Sequence, residues 1–103
     1  MAQYDIYPNP GSKSVDIPFL LAIQNDHLTS RTGASVVIPL RANMQPIDIL
    51  APLVDVPGYG ALVLSSDEIF AIDQSRLRNA YAKLGVIDRA KIKPAIDKLI
   101  GDY

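Results

Sequence analysis

The sequence predicts a mainly β fold closed by a C-terminal α-helix, arranged as a small, strongly bent antiparallel sheet or partly open barrel. Three observations predict it. Short apolar and β-branched runs separated by turn residues occupy about residues 3–73, and the periodicity changes after Asp73. The end of the chain is amphipathic, because Ile92, Ala95, Ile96, Leu99 and Ile100 recur at i, i+3, i+4, i+7 and i+8. With 103 residues the chain makes one domain, 1–103, able to bury roughly 60–65% of its unfolded surface.

The first strand is expected over Gln3-Tyr4-Asp5-Ile6-Tyr7, which alternates with period two until the turn-forming Pro8-Asn9-Pro10-Gly11-Ser12. Phe19-Leu20-Leu21-Ala22-Ile23 suits a core strand, with Gln24-Asn25-Asp26 marking its end and a loop beyond it. Ser35-Val36-Val37-Ile38-Pro39-Leu40 is β-branched, and Pro39, lacking an N–H, argues for a strand end, an edge or a bulge. Leu53–Val56 and Ala61–Ser65 read as a hairpin across Pro57-Gly58-Tyr59-Gly60, and Ile69–Ile72 follows a turn at Ser66-Asp67. Leu77, Ala80, Tyr81 and Leu84 keep helical spacing ahead of Gly85, which allows a short helix or helical turn there. The final helix is expected over about 88–101, with Asp88 as N-cap and Pro94 either near its start or at a kink. Its apolar stripe is expected to dock the end of the chain. Val36, Ile38, Leu62 and Leu64 are expected in the core.

Composition narrows the function. The absence of cysteine excludes a disulfide framework and a thiolate metal site. No apolar run approaches the ~20 residues of a membrane span, and Met1-Ala2-Gln3-Tyr4-Asp5 lacks the features of a secretory signal. A cytoplasmic protein without a membrane partner is expected. Charge is uneven: residues 1–75 carry three basic and eight acidic side chains, residues 76–103 seven basic and three acidic. Arg76, Arg78, Lys83, Arg89, Lys91, Lys93 and Lys98, with Tyr81 and Tyr103, could form a basic surface. A pI near 5.6 nonetheless argues against direct nucleic-acid binding. Leftover strand edges favour a homodimer.

Catalytic motifs do not emerge. His27 is the only histidine and no spacing offers a metal site. Ser65-Ser66-Asp67-Glu68 reads as turn chemistry, and Gly58-Tyr59-Gly60 joins two strands with no helix to complete a phosphate loop. No catalytic residue, metal or cofactor is expected. A protein that acts by contacting another protein remains.

The opening Gln3-Tyr4-Asp5-Ile6-Tyr7, Ile23-Gln24-Asn25-Asp26, Val37-Ile38-Pro39-Leu40, Ser65-Ser66-Asp67 and the tail from Ile92 to Ile100 together resemble the CcdB toxins of bacterial type II toxin–antitoxin modules. The resemblance covers nearly the whole chain. It implies a homodimer of small SH3-like antiparallel barrels with a C-terminal helix, a fold related to the Kid and MazF toxins. It also implies a poison that binds the A subunit of DNA gyrase, traps the cleaved DNA–gyrase complex, and is neutralised by a CcdA-like antitoxin.

Carried over by position, the resemblance implies gyrase contacts at His27 and Leu28, in the loop after the second strand, and at Asp97, Ile100, Gly101, Asp102 and Tyr103. The best-known members end in Trp-Gly-Ile, whereas this chain ends in Gly101-Asp102-Tyr103. The lost tryptophan contact to a gyrase arginine is worth about 1–2 kcal/mol when desolvated. Tyr103 supplies an aromatic ring nearby, and the Asp102 carboxylate can pair with an arginine. The same helix face equally allows Leu99 and Ile100 to close the core. Two alternatives stand beside the gyrase poison. One is a relative that only binds antitoxin; the other is a MazF/Kid-like endoribonuclease, for which Arg41, Asp67 and His27 are the available general acid–base set.

Overall fold

The computed structural model describes residues 3–101 and holds a sheet of seven antiparallel strands, six of them from these runs. In chain order they are β1 (Asp5–Pro8), β2 (Phe19–Ala22), α1 (Asp26–Thr32), β3 (Ala34–Arg41), β4 (Leu53–Val56), β5 (Gly60–Leu64), β6 (Phe70–Asp73), β7 (Ala82–Lys83), α2 (Val86–Arg89) and α3 (Ile92–Ile100). Short 3-10 turns cover Ser66–Glu68 and Gln74–Arg76. The strand order is β4-β5-β3-β2-β1-β7, and β6 also pairs with β3. The result is a nearly closed antiparallel barrel with a C-terminal helix, as predicted.

The long strand β3 organises the sheet. One flank pairs with β2 from Phe19↔Leu40 to Ala22↔Val37, and the other is shared by β6, from Ala34↔Asp73 to Val37↔Phe70, and β5, at Leu40↔Leu64 and Arg41↔Val63. Pro39 falls where the partner changes. Its carbonyl accepts from Ser65 N–H at 3.1 Å on that shared flank, so the donor it lacks belongs to the gap between two partners. That is how a proline is tolerated inside a central strand.

Alternation along β1–β3 sends neighbouring residues to opposite faces. Ile6, Leu21, Ile38 and Leu40 join Val54, Val56, Leu62, Leu64, Leu84, Ile92 and Ala95 inside the barrel. Tyr7, Leu20, Ala22, Val37, Ile72 and Leu77 form a second cluster. Both faces are therefore buried, which explains why these strands read as continuous apolar runs. Val36 is only half-buried, unlike Ile38, Leu62 and Leu64.

Several local expectations need correction. The first strand starts at Asp5, because Tyr4 adopts φ 73°, a left-handed conformation that costs a bulky residue of order 1 kcal/mol. Tyr4 is secured there by its N–H to Ala22 O at 2.7 Å and by the Arg89 guanidinium 5.0 Å above its ring. The segment after β2 is helix α1 rather than loop. Asn25 caps it by accepting from His27 N–H at 2.8 Å, and Gly33 ends it at φ 73°.

The short helix or helical turn allowed around Leu77–Leu84 does not form. Ala82 and Lys83 instead pair with Ile6 and Asp5, flanked by Tyr81 N–H to Ile6 O and Leu84 N–H to Tyr4 O. Covering the edge of β1, with a Lys83–Asp5 ion pair at 3.0 Å, outweighs a weak helical period. Gly85 accordingly precedes a helix, α2, and does not terminate one. Asp88 lies within α2, and α3 starts separately at Ile92 with no side-chain cap, so that Pro94 occupies its first turn, where the missing N–H costs nothing.

Candidate functional site

The exposed end of α3 is the candidate site, and its base is rigidly held. Ser65 is fully buried at the end of β5, and its hydroxyl lies 2.9 Å from Asp67 Oδ1 and 2.7 Å from Glu68 Oε1. Arg41, at the end of β3, grips both oxygens of Glu68 at 2.7 and 2.9 Å. Ser66 Oγ donates to Leu50 O. These bonds fix the turn Ser66–Glu68 against β3, and α3 packs on that turn and on α2.

A second clamp holds the start of α3. Asp88 accepts from Asp55 N–H at 2.9 Å and pairs with Lys91 at 2.8 Å, while Lys91 Nζ also donates to Leu53 O at 2.8 Å. Burial raises the Asp88 carboxyl, but the Lys91 hydrogen bond, the Asp55 N–H and the Lys91 charge prevail and hold it below its ordinary value. Two short helices are thereby pinned to the β4 edge.

From this base α3 runs from buried to exposed residues. Ile92 and Ala95 are buried and Ile96 is packed against the core, whereas Leu99 is 36% and Ile100 73% exposed. The expected docking of the whole stripe therefore holds only for its first two turns. Val86 and Ile87 on α2 are also largely exposed, at 76% and 84%. Asp48, Ile49, Pro52, Ala90, Lys91 and Pro94 line a shallow apolar hollow of about 270 Å³ beside the start of α3. Exposed apolar surface of this kind marks contact with a partner.

Of the positions singled out in the sequence, Asp97, Ile100 and Gly101 all lie at this exposed end. Asp102 and Tyr103 fall outside the described residues. His27 and Leu28 lie on α1, both exposed, on the connection into the start of β3. The turn that supports α3 sits at the other end of that strand, roughly 23 Å of extended chain further on. Within one chain the sequence-derived positions thus form two groups. The acid–base set is not assembled either: Arg41 is engaged by Glu68 and Asp67 by Ser65, and His27 belongs to the α1 group. Val86, Ile87 and Leu99 are surface residues that sequence reasoning passed over or assigned to the core; the isolated apolar pair after Gly85 was the available signal.

A small, nearly closed antiparallel barrel with a C-terminal helix is the architecture these elements define. The family model described as CcdB protein matches residues 3–101. The chain belongs to the CcdB family, and with it to the toxins of toxin–antitoxin modules. No curated protein matches it in sequence. Among solved structures it is similar to an endoribonuclease in complex with its cognate antitoxin from Mycobacterial species, at 16% identity and TM-score 0.79, covering 98% of this chain and 95% of that one. It is also similar to MazE–MazF (Form-I) from Deinococcus radiodurans, at 14% identity and TM-score 0.78, covering 99% and 97%. An endoribonuclease from Mycobacterial species gives 15% identity and TM-score 0.73, covering 98% and 91%. At such identities the likeness is one of fold.

Proposed function

We propose that this protein is a toxin that binds the A subunit of DNA gyrase as a homodimer and traps the cleaved DNA–gyrase complex, without being an enzyme itself. The observation that carries the reading is the far end of α3, where Leu99 and Ile100 are exposed on a helix whose base is clamped. A preformed apolar tip loses little conformational entropy on binding. Membership in the CcdB family supports the target, because the gyrase contacts of that family map onto this tip. Two copies are needed to present paired tips, with His27 and Leu28 of α1 completing the contact. A CcdA-like antitoxin neutralises the toxin. The protein acts in the cytoplasm and needs no cofactor; among the described residues no helix is long and apolar enough to cross a membrane.

The test is DNA cleavage by purified gyrase with ATP, read as linearised plasmid after detergent and protease treatment. Linear product that appears with this protein and disappears with Ile100→Glu or Tyr103→Ala is expected. Absence of linear product at micromolar protein, with antitoxin binding intact, would shift the reading to a relative that only binds antitoxin. A second reading, a ribonuclease like the structural neighbours, is favoured by fold alone and would show as cleavage of RNA lost in Arg41→Ala.

A further inference from the structure

Several basic residues of the C-terminal region are engaged within the fold, and two arginines are not. Lys83 and Lys91 are consumed in ion pairs, and Arg89 donates to Leu84 O at 2.7 Å while covering Tyr4. Arg76 and Arg78 are exposed, and their guanidinium groups form no hydrogen bond or ion pair among the described residues. Both line one cleft of about 580 Å³, opposite Pro8 at the end of β1 and Asn9 and Pro10 of the β1–β2 loop.

The cleft walls are preformed. Asn9 donates to Ile17 O at 2.8 Å and accepts from Gly11 N–H at 2.9 Å, which fixes the loop. On the other side Asp73 accepts from the Ser75 backbone N–H at 3.0 Å and from its hydroxyl, bonds that hold the Asp73 carboxyl below its ordinary value, aided by Arg76. The free donors of the cleft are therefore the two arginines.

Asn9, Pro10 and Arg76 also border a second hollow, of about 280 Å³, lined by Leu20, Pro39, Ile72 and Phe70, with Lys13 at its rim. Phe70 is 41% exposed. A cationic cleft thus opens directly into an apolar hollow with an accessible aromatic ring.

We propose that this composite groove binds a nucleotide unit, with a phosphate at Arg76 and Arg78 and the base against Phe70 in the adjoining hollow. Paired guanidinium groups match phosphate geometry, and an accessible ring accepts a base of any sequence. A nucleotide concentrates its charge at the arginine end. An acidic peptide would offer no base to lie against the exposed Phe70 ring in the adjoining hollow. The low overall pI does not oppose local binding, because the recognition charge is gathered in one cleft. The unit has two sources, a free nucleotide or a single strand of nucleic acid. This site is separate from the α3 tip, so its outcome does not depend on gyrase poisoning.

The experiment titrates the full chain into fluorescein-labelled ten-residue oligouridine and into labelled AMP by fluorescence anisotropy, with a labelled oligoglutamate as control, at several salt concentrations. Arg76→Ala and Arg78→Ala are expected to weaken binding about tenfold each and to lower the salt dependence of the oligouridine by about 0.7 per arginine removed. Phe70→Ala is expected to weaken it several-fold at unchanged salt dependence. Tighter binding of the oligomer than of AMP assigns the single strand, and equal binding assigns the free nucleotide. Binding insensitive to these three substitutions, oligoglutamate bound as tightly as the nucleotides, or no binding to either nucleotide probe with circular dichroism showing folded protein, would overturn the proposal.

Discussion

The two halves of α3 share one apolar stripe and have opposite fates. Ile92 and Ala95 are sealed against the barrel, while Leu99 continues in line with them, and Ile100 beside it, into solvent. The difference lies in the support beneath. The first half rests on the Ser66–Glu68 turn and the Asp88–Lys91 clamp, and the second half is left exposed. Amphipathicity therefore tells where a helix offers an apolar face, and the length of the supporting surface tells how much of that face is left for a partner.

The sharpest way to test this division is to truncate one residue in each half. Ile92→Ala should cost about 3 kcal/mol, since it empties a sealed site, and urea unfolding at neutral pH measures it. The clamp is the next target. Ser65→Ala removes the buried hydroxyl between Asp67 and Glu68, and a loss of about 1.5 kcal/mol in the same unfolding experiment is expected.

Asp88→Asn should cost about 1 kcal/mol at pH 7, less than the burial of Ile92 because the pair is partly solvated. Its sign with pH is fixed. A carboxyl held below its ordinary 3.8 stabilises the fold above that value, and the stabilisation disappears as pH falls through the lower folded value. Thermal melts from pH 6 to pH 2 should therefore show the wild type and Asp88→Asn converging at the acid end; a constant gap would show that Asp88 acts through shape alone. The smallest effect belongs to the free half. Ile100→Ala should leave stability within about 0.5 kcal/mol while abolishing linear product in the gyrase assay.

The parts of the fold that were legible are those written into local pattern. The β4–β5 hairpin follows from its Gly58 and Gly60 turn, both at positive φ, and β2 and β3 from their apolar runs. The elements that escaped were decided elsewhere. β7 is only two residues long and exists because β1 has an edge to cover, which no window of sequence contains. α1 carried its own signals, Asn25 at the start and Gly33 at the end, but its seven residues hold too few apolar positions to show a period. At the α3 tip the residues were legible and their exposure was not, because exposure depends on what the fold packs against them. The arginine cleft was hidden for a similar reason: Arg76 and Arg78 face a loop almost seventy residues earlier in the chain.

Pro39 carries a consequence for the order in which the molecule comes apart. With no N–H on the flank that β5 and β6 share, the ladder has a natural perforation, and β6 can lift away from Ala34–Val37 without breaking any bond that holds β5. Amide exchange should divide along that line, with the β6 segment exchanging through its own local opening and the Leu40–Leu64 junction only with the barrel as a whole.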